Sequence, residues 1–215
     1  MLEYESIVAR IARERPGRLL DWGAGFGQVT ALLHGAGVEV TAFDYQPGVE
    51  PGVQPLERYP GLEVHISGDP RGLPFADRSF DSVLSCGVLE HVLDPDASLE
   101  EIRRILQPGG TLFVFKLPNR WSYLERLARM AGLYYHGAEP HERVYGKREA
   151  RELLERHGFR VEAIRRANML PLTLSGAAAR RLARPIWALN RVLARVPGLN
   201  LIATNVELVA RSPSP

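Results

Sequence analysis

Residues 19–30, LLDWGAGFGQVT, place an aspartate, Asp21, ahead of glycines at positions 23, 25 and 27. An apolar pair precedes the glycines and residues at helical spacing follow them, which predicts a strand, a glycine loop and a helix. Such a loop lets a ligand lie against bare backbone at a helix N-terminus, because no Cβ blocks the approach and the first helical N–H groups are unpaired. The segment therefore predicts a binding site for a small ligand.

The charge and spacing of this loop narrow the choice of ligand. The dinucleotide fingerprint requires a third glycine where Gln28 stands, and the Gly-Lys-Ser/Thr sequence of a P-loop does not follow. The carboxylate of Asp21 is the wrong charge for a pyrophosphate and the right one for an ammonium or sulfonium group. We therefore expect a ligand with a positive charge.

Size and composition indicate one globular domain, or one domain with an inserted lobe. The chain has 215 residues, of which 45% are hydrophobic and 20 are glycine. Its single cysteine, Cys86, excludes an internal disulfide and fits a reducing compartment. We find no signal peptide and no apolar run of bilayer length, so the expected location is cytoplasmic. The net charge of +2 gives no general attraction for nucleic acid.

Alternation of strands with helices predicts a parallel sheet with right-handed crossovers. After the first strand at Leu19–Leu20, strands are predicted at 38–44, 62–69, 80–85, 111–117, 159–167 and 201–211. Helices are predicted at 2–14, after the glycine loop, from an Asp94 N-cap with Pro95 in the first turn, at 147–158, and at 176–196 with a break at Pro185. The proline-rich run 45–61 has room for at most a short helix.

Acidic residues follow three of these strands. Asp21, Asp44 and Asp69 lie at predicted carboxyl ends of strands, as does the segment 86–91. Asp44 comes twenty-odd residues after the glycine loop, where a doubly wound fold holds the acid that binds ribose hydroxyls. These groups are therefore expected to share one edge of the sheet.

Five sequence pieces, in order, now form a recognisable set. They are 21–27, Asp44, Gly68-Asp69 before the 73–75 turn, 80–81 leading to 88–92 (VLEHV), and Pro108-Gly109-Gly110. Together they resemble the class I S-adenosylmethionine-dependent methyltransferases, in the type 11 branch that contains ubiquinone-type and biotin-pathway small-molecule enzymes. The resemblance covers about residues 15–165.

The resemblance implies an α/β fold: a Rossmann-like, doubly wound, seven-stranded sheet whose last strand is antiparallel, plus a helical lid insertion. Residues 1–118 would form the S-adenosylmethionine-binding core, 119–146 the substrate lid, and 147–215 the completion of the core. S-adenosylmethionine would be the cofactor and S-adenosylhomocysteine its product.

The resemblance also implies roles for single residues. Asp21 would receive the methionine amino group, Asp44 the ribose diol with Tyr45 beside the adenine, and Asp69 would face the adenine amino group. The full set implied to bind the cofactor is Asp21, Gly23, Ala24, Gly25, Asp44, Tyr45, Asp69, Pro70 and Cys86.

Methyl transfer needs a base only if the acceptor must lose a proton. His91, in the loop after the fourth strand, and His141, in the lid, are the candidate catalytic residues, followed by Glu142 and Tyr145. The histidines and glutamates of the lid are too loosely spaced to predict a metal site. Cys86 is disfavoured as a nucleophile.

The expected function is methylation of a small molecule on oxygen, and the alternative is a cofactor-binding subunit without catalytic activity. Methylation of nucleic acid is disfavoured, because SCGVLEH replaces the Asn/Asp-Pro-Pro-aromatic motif after the fourth strand. The segment 176–196 carries arginines and no acid beside an apolar stripe that includes Leu189 and Val196. It is interpreted as a helix packed on the sheet with a solvated basic back, or as a surface for at most peripheral contact with anionic lipid or a phosphate-bearing acceptor.

Overall fold

A computed structural model describes residues 2–69, 71–132, 142–170 and 177–214. Its centre is an eight-stranded sheet in the order β3-β4-β2-β1-β5-β6-β8-β7. The strands are β1 Leu19–Trp22, β2 Val40–Tyr45, β3 Gly52–Pro55, β4 Glu63–Ser67, β5 Phe80–Cys86, β6 Leu106–Pro118, β7 Arg160–Ala167 and β8 Asn205–Arg211. The helices are α1 Leu2–Arg13, α2 Gln28–Gly35, α3 Pro95–Ile105, α4 Tyr123–Met130, α5 Lys147–Arg156, α6 Ala177–Leu193 and the short 3₁₀ helix η1 Leu199–Ile202.

The central strands are parallel, and both edges of the sheet are antiparallel. β1 pairs in parallel with β2 and β5, and parallel pairing continues to β4 on one side and β6 on the other. β8 runs antiparallel to both β6 and β7. Because β1, β2, β4 and β5 are parallel, their carboxyl ends lie together at one end of the sheet.

Apolar side chains cover both faces of the sheet. Alternate strand residues such as Leu20 and Val83 pack with α3 and α5 on one face. The intervening residues, such as Leu19 and Leu84, pack with α1 and α2 on the other. Burial on both faces explains why these strands read as continuous apolar runs.

The predicted fold class is confirmed, and the antiparallel last strand with it. The strand count is corrected from seven to eight, because β3 forms within the proline-rich run where at most a short helix was expected. β3 pairs antiparallel with β4, with Val53 opposite His65. An edge strand tolerates prolines, since an N–H that faces away from the sheet needs no partner in the ladder.

The structure corrects three predicted elements in the C-terminal half of the chain. α6 continues through Pro185, at the cost of one helical hydrogen bond that proline cannot donate. β6 begins at Leu106, ahead of the Pro-Gly-Gly turn, and pairs there with Phe80. β8 begins at Asn205, because η1 takes up residues 199–202.

The predicted start of α3 is confirmed. Asp94 accepts a hydrogen bond from the Ala97 N–H at 3.1 Å, and Pro95 lies in the first turn. Within the predicted lid, α4 is helical, while His141 and the rest of 133–141 lie outside the described residues. The lid and domain boundaries at 118 and 146 stay predictions. None of the helices in the described ranges is long and apolar enough to cross a membrane.

Candidate active site

The glycine loop is held by hydrogen bonds between the ends of two parallel strands. The N–H groups of Gly23 and Ala24 both donate to the Phe43 carbonyl at 2.8 Å. Gly23, Gly25 and Gly27 have φ angles of 78°, 52° and 75°. A residue with a Cβ is strained at these angles, which is why glycine recurs here.

The three glycines differ in what lies in front of them. A Cβ on Gly23 would lie 2.4 Å from the Val88 side chain, and one on Gly27 would lie 2.5 Å from Leu56. A Cβ on Gly25 would meet nothing within 4 Å. Gly23 and Gly27 are therefore required for internal packing, whereas Gly25 faces open space.

Two clefts meet at Gly23, at the end of the sheet where the parallel strands have their carboxyl ends. The larger cleft, about 500 Å³, has walls that include Asp44, Tyr45, Asp69 and His91. The smaller cleft, about 280 Å³, has walls that include Tyr4, Asp21, Ala24, Gln28 and Cys86. The structure thus brings together most of the predicted site residues, with Gly25 in the loop between Asp21 and Asp44. Pro70 and His141 lie outside the described residues.

Asp21 lies at the inner end of the smaller cleft. Its side chain is 2% exposed, and its Oδ2 accepts a hydrogen bond from Thr30 Oγ1 at 2.6 Å. Burial raises the pKa of Asp21 to about 6. A positively charged ligand in this cleft would favour the carboxylate form and lower that pKa.

Asp44 and Asp69 each accept a hydrogen bond from a backbone N–H group with one carboxylate oxygen. Asp44 Oδ1 accepts from the Gly25 N–H at 3.4 Å, and burial raises the pKa of this half-buried group. Asp69 Oδ1 accepts from the Arg71 N–H at 2.9 Å. Asp44 therefore links β2 to the glycine loop, and Asp69 shapes the turn after β4.

The thiol of Cys86 is protonated at neutral pH. Burial raises the pKa of this free cysteine well above its usual range, despite the nearby Lys116 ammonium group. Because the thiolate is the reactive form, Cys86 contributes a wall of the smaller cleft and no nucleophile.

His91 lies between two carboxylates on the wall of the larger cleft. Its Nδ1 is 3.3 Å from Glu142 Oε1, and its Nε2 is 3.8 Å from Glu90 Oε1. The backbone N–H of His91 donates a hydrogen bond to the Val88 carbonyl at 2.8 Å, which fixes the loop. The ring is 45% exposed, so it is accessible to a ligand while carboxylates orient it.

Glu90 is a site residue that the sequence reasoning missed. It is 2% exposed, and its Oε2 has no hydrogen-bond partner among the described residues. Burial raises the pKa of Glu90 to about 7. The signal in the sequence was a glutamate inside an apolar run directly before His91, in VLEHV, where an ionised group requires a specific reason.

Lys116, at the end of β6, was also missed. Its Nζ lies 3.2 Å from the Tyr4 hydroxyl and 3.5 Å from Glu3 Oε2, so it joins α1 to the sheet beside the smaller cleft. Lys116 has a φ of 61°, an unusual conformation for a residue with a side chain. Nothing in its sequence context, TLFVFKL, marks it as special.

No group of three or more histidine, cysteine, aspartate or glutamate side chains within the described ranges has an arrangement that could hold a metal ion. Three of the four lid residues considered for metal binding, His136, Glu139 and His141, fall in the segment that the structure does not describe.

Replacing Glu90 by glutamine should change the pH dependence of stability. Because the folded-state pKa is about 7 against an ordinary value of 4.5, the folded protein holds a proton that the unfolded chain has released between these pH values. The free energy of unfolding of the parent protein should therefore fall as pH rises through this window. Relative to the parent, Glu90→Gln should gain on the order of 3 kcal/mol between pH 4 and pH 8.

Urea unfolding at several pH values measures this gain. Glu100→Gln, at an exposed position of α3, is the matched control for the removal of one glutamate, and its difference from the parent is the reference for the Glu90 effect. A Glu90→Gln difference that is the same at pH 4 and pH 8 would show that the buried carboxyl does not titrate abnormally.

Comparison with known proteins identifies the family. Residues 20–114 match the family described as "Methyltransferase domain". A demethylmenaquinone methyltransferase of Beutenbergia cavernae is 40% identical over 116 residues, which cover 53% of this chain and 47% of that protein. A probable S-adenosylmethionine-dependent methyltransferase of Mycolicibacterium smegmatis is 31% identical over 160 residues, which cover 74% and 58%. The chain thus spans about half the length of these curated relatives.

The fold is similar to that of a solved S-adenosylmethionine-dependent methyltransferase from Thermotoga maritima, described as a possible histamine N-methyltransferase. The TM-score is 0.61 at 20% identity, and the match covers 97% of this chain and 89% of that one. At this identity the similarity shows the fold alone. The matched segment, residues 20–114, contains the glycine loop and the ends of β2, β4 and β5 that form the two clefts. The chain therefore belongs to the class I S-adenosylmethionine-dependent methyltransferases, a family whose methyl donor is S-adenosylmethionine.

Proposed function

We propose that this protein methylates a phenol or hydroquinone-type small molecule, and that the hydroxyl oxygen receives the methyl group. The observation that carries the proposal is His91, held between Glu90 and Glu142 on the wall of the larger cleft. A base at this position is useful only for an acceptor that must lose a proton, and a weakly acidic hydroxyl is such an acceptor.

The residues that line the two clefts are suited to binding the cofactor. Asp44 and Tyr45 would hold the ribose and adenine in the larger cleft, which Asp69 also lines. Asp21 would face the methionine amino group in the smaller cleft. The open space in front of Gly25 is the feature that a ligand crossing the loop requires.

Asp21 and Asp44 would hold S-adenosylmethionine, which would supply a methyl group for transfer to the acceptor oxygen, the electron pair of the broken C–S bond returning to the positively charged sulfur. His91 would take the proton of the hydroxyl group. Glu142 would stabilise the imidazolium ion that results, since its Oε1 lies 3.3 Å from Nδ1. Apolar residues such as Leu73, Val88 and Val92 on the same walls would limit the access of water.

The ring carbon of a quinol is the second candidate for the methylated atom. It is favoured by the similarity to the demethylmenaquinone methyltransferase, at 40% identity over 116 residues. Removing the proton of a quinol hydroxyl also makes the ring more nucleophilic, so the same base would serve both reactions. The position of the methyl group in the product distinguishes them.

Gly25→Val should abolish binding of S-adenosylhomocysteine, because the added side chain fills the space in front of the loop. Gly37→Val is the matched control, since Gly37 also has a positive φ, of 78°, and nothing within 4 Å of its Cβ, but lies in the turn between α2 and β2. Both variants should lose about 1–2 kcal/mol of stability from the strained backbone. Calorimetry should detect binding to the Gly37 variant alone. Tight binding by the folded Gly25 variant would place the cofactor elsewhere.

The enzyme should form S-adenosylhomocysteine and a methylated product in equal amounts when a short-chain naphthohydroquinone is added. Methyl-labelled cofactor measures the transfer, and mass spectrometry with NMR locates the label on oxygen or ring carbon. The Gly25→Val variant gives the background. Cofactor binding without turnover on phenols, hydroquinones or catechols would instead support the alternative of a non-catalytic cofactor-binding subunit.

His91→Ala should lower turnover by about 10²- to 10⁴-fold, the range for loss of a general base, with little change in affinity for S-adenosylhomocysteine. His34→Ala, at an exposed position on α2, is the control and should be fully active. If His141 is the base instead, His91→Ala stays active, and His141→Ala becomes damaging with a raised KM for the acceptor.

A further inference from the structure

The C-terminal helices expose an apolar strip. Its residues are Leu189, Val192 and Val196, on and just after α6, and Leu199, Leu201 and Ile202 of η1, and their exposed fractions run from 38% to 58%. We call these six residues the α6–η1 strip. Leu189 and Val196 belong to the stripe that one sequence interpretation buried against the sheet, so that interpretation is wrong for both residues.

Asn190 determines which side of α6 faces the protein. It is 3% exposed, its Oδ1 accepts from the N–H groups of Met169 and Leu170, and its Nδ2 donates to the Leu170 carbonyl at 3.3 Å. With about 3.6 residues per turn, this anchor turns Leu189 and Val192 away from the protein. The exposure of the strip therefore follows from a buried polar contact.

Arginines run along one flank of the strip. Arg191 and Arg195 line a groove of about 570 Å³ between α1, β7 and α6, together with Arg13 and Arg166. None of these four forms an ion pair with another described residue. The Arg191 guanidinium lies 4.7 Å from the centre of the Trp187 ring, which holds it at the rim. The whole groove is lined by six arginines and by three glutamates, Glu3, Glu5 and Glu207, so the flank carries a net positive charge.

The apolar surface of the α6–η1 strip and the positive charge of its arginine flank together suit one type of partner. An apolar strip beside unpaired arginines is the pattern of a helix that lies in the interface of an anionic membrane. A soluble phosphate compound would use the arginines and leave the strip unexplained. A second copy of this chain would bring arginine flanks close together, which is unfavourable.

The groove and the smaller cleft are both lined by residues of the first turn of α1. Glu3 lines the groove, Tyr4 lines the smaller cleft, and Lys116 contacts both residues. A membrane against the α6–η1 strip would therefore lie beside the groove, and α1 borders both that groove and the cleft assigned to the methyl donor.

We propose that the α6–η1 strip and its arginine flank dock the protein on the surface of an anionic phospholipid membrane, where it meets an acceptor with a lipid tail. The docking stands on the surface alone, while the identity of the acceptor rests on the proposed function.

Sedimentation with vesicles tests the docking. The full chain should bind vesicles of phosphatidylcholine with 30% phosphatidylglycerol, bind pure phosphatidylcholine much more weakly, and dissociate as salt rises. Arg191→Glu/Arg195→Glu should lower the binding constant at least about 25-fold, since each arginine near an anionic surface contributes about fivefold. Leu189→Ser/Val192→Ser should weaken binding at all salt concentrations.

Arg148→Glu/Arg151→Glu is the matched control, because it makes the same charge change on α5, which packs on the face of the sheet opposite to α1 and its groove with α6. It should bind vesicles nearly as the parent does. Equal loss in both double variants, equal binding to neutral vesicles, or a dimer in solution that the serine variant dissociates would overturn the proposal. Binding of S-adenosylhomocysteine and turnover of a water-soluble hydroquinone, measured without vesicles, show separately whether the proposed function holds.

Discussion

The shared carbonyl of Phe43 is the constraint on which the site depends. By accepting the N–H groups of Gly23 and Ala24, it fixes the end of β1 to the end of β2. These two hydrogen bonds determine where the glycine loop begins, and so determine the separation of Asp21 from Asp44. The two clefts meet at this loop, so the position of each acidic group follows from one piece of backbone geometry. The side chains of the clefts can vary more freely than this junction.

Much of this arrangement could be predicted from sequence, because it depends on backbone rules. Alternating strands and helices imply parallel pairing, and parallel pairing places Asp21, Asp44 and Asp69 on one edge. The edge strand β3 could not be predicted, since its residues carry no apolar alternation and its pairing with β4 is a tertiary contact. Lys116 was missed for a related reason, because its importance comes from neighbours distant in sequence, which no local pattern records; Glu90 did leave a local signal in VLEHV, but its burial is a tertiary property.

Buried ionisable groups concentrate where the strands end. Asp21 and Glu90 both have raised pKa values because they are held away from water, and both carboxyls act electrostatically on the thiol of Cys86. Burial disfavours the charged form of each carboxyl, and a positive ligand nearby would favour that form. The site is therefore electrostatically suited to a sulfonium, whose positive charge would offset the cost of burying these carboxylates.

Lys116 has a consequence for how such a sequence can change. Its left-handed backbone costs about 1–2 kcal/mol that glycine would not incur, so glycine here would stabilise the local chain. The same replacement would remove the ammonium that joins Tyr4 and Glu3 of α1 to β6. Stability and integrity of the cleft thus favour different residues at one position. A variant library selected for heat resistance alone would tend to discard this lysine, and one selected for turnover would tend to retain it.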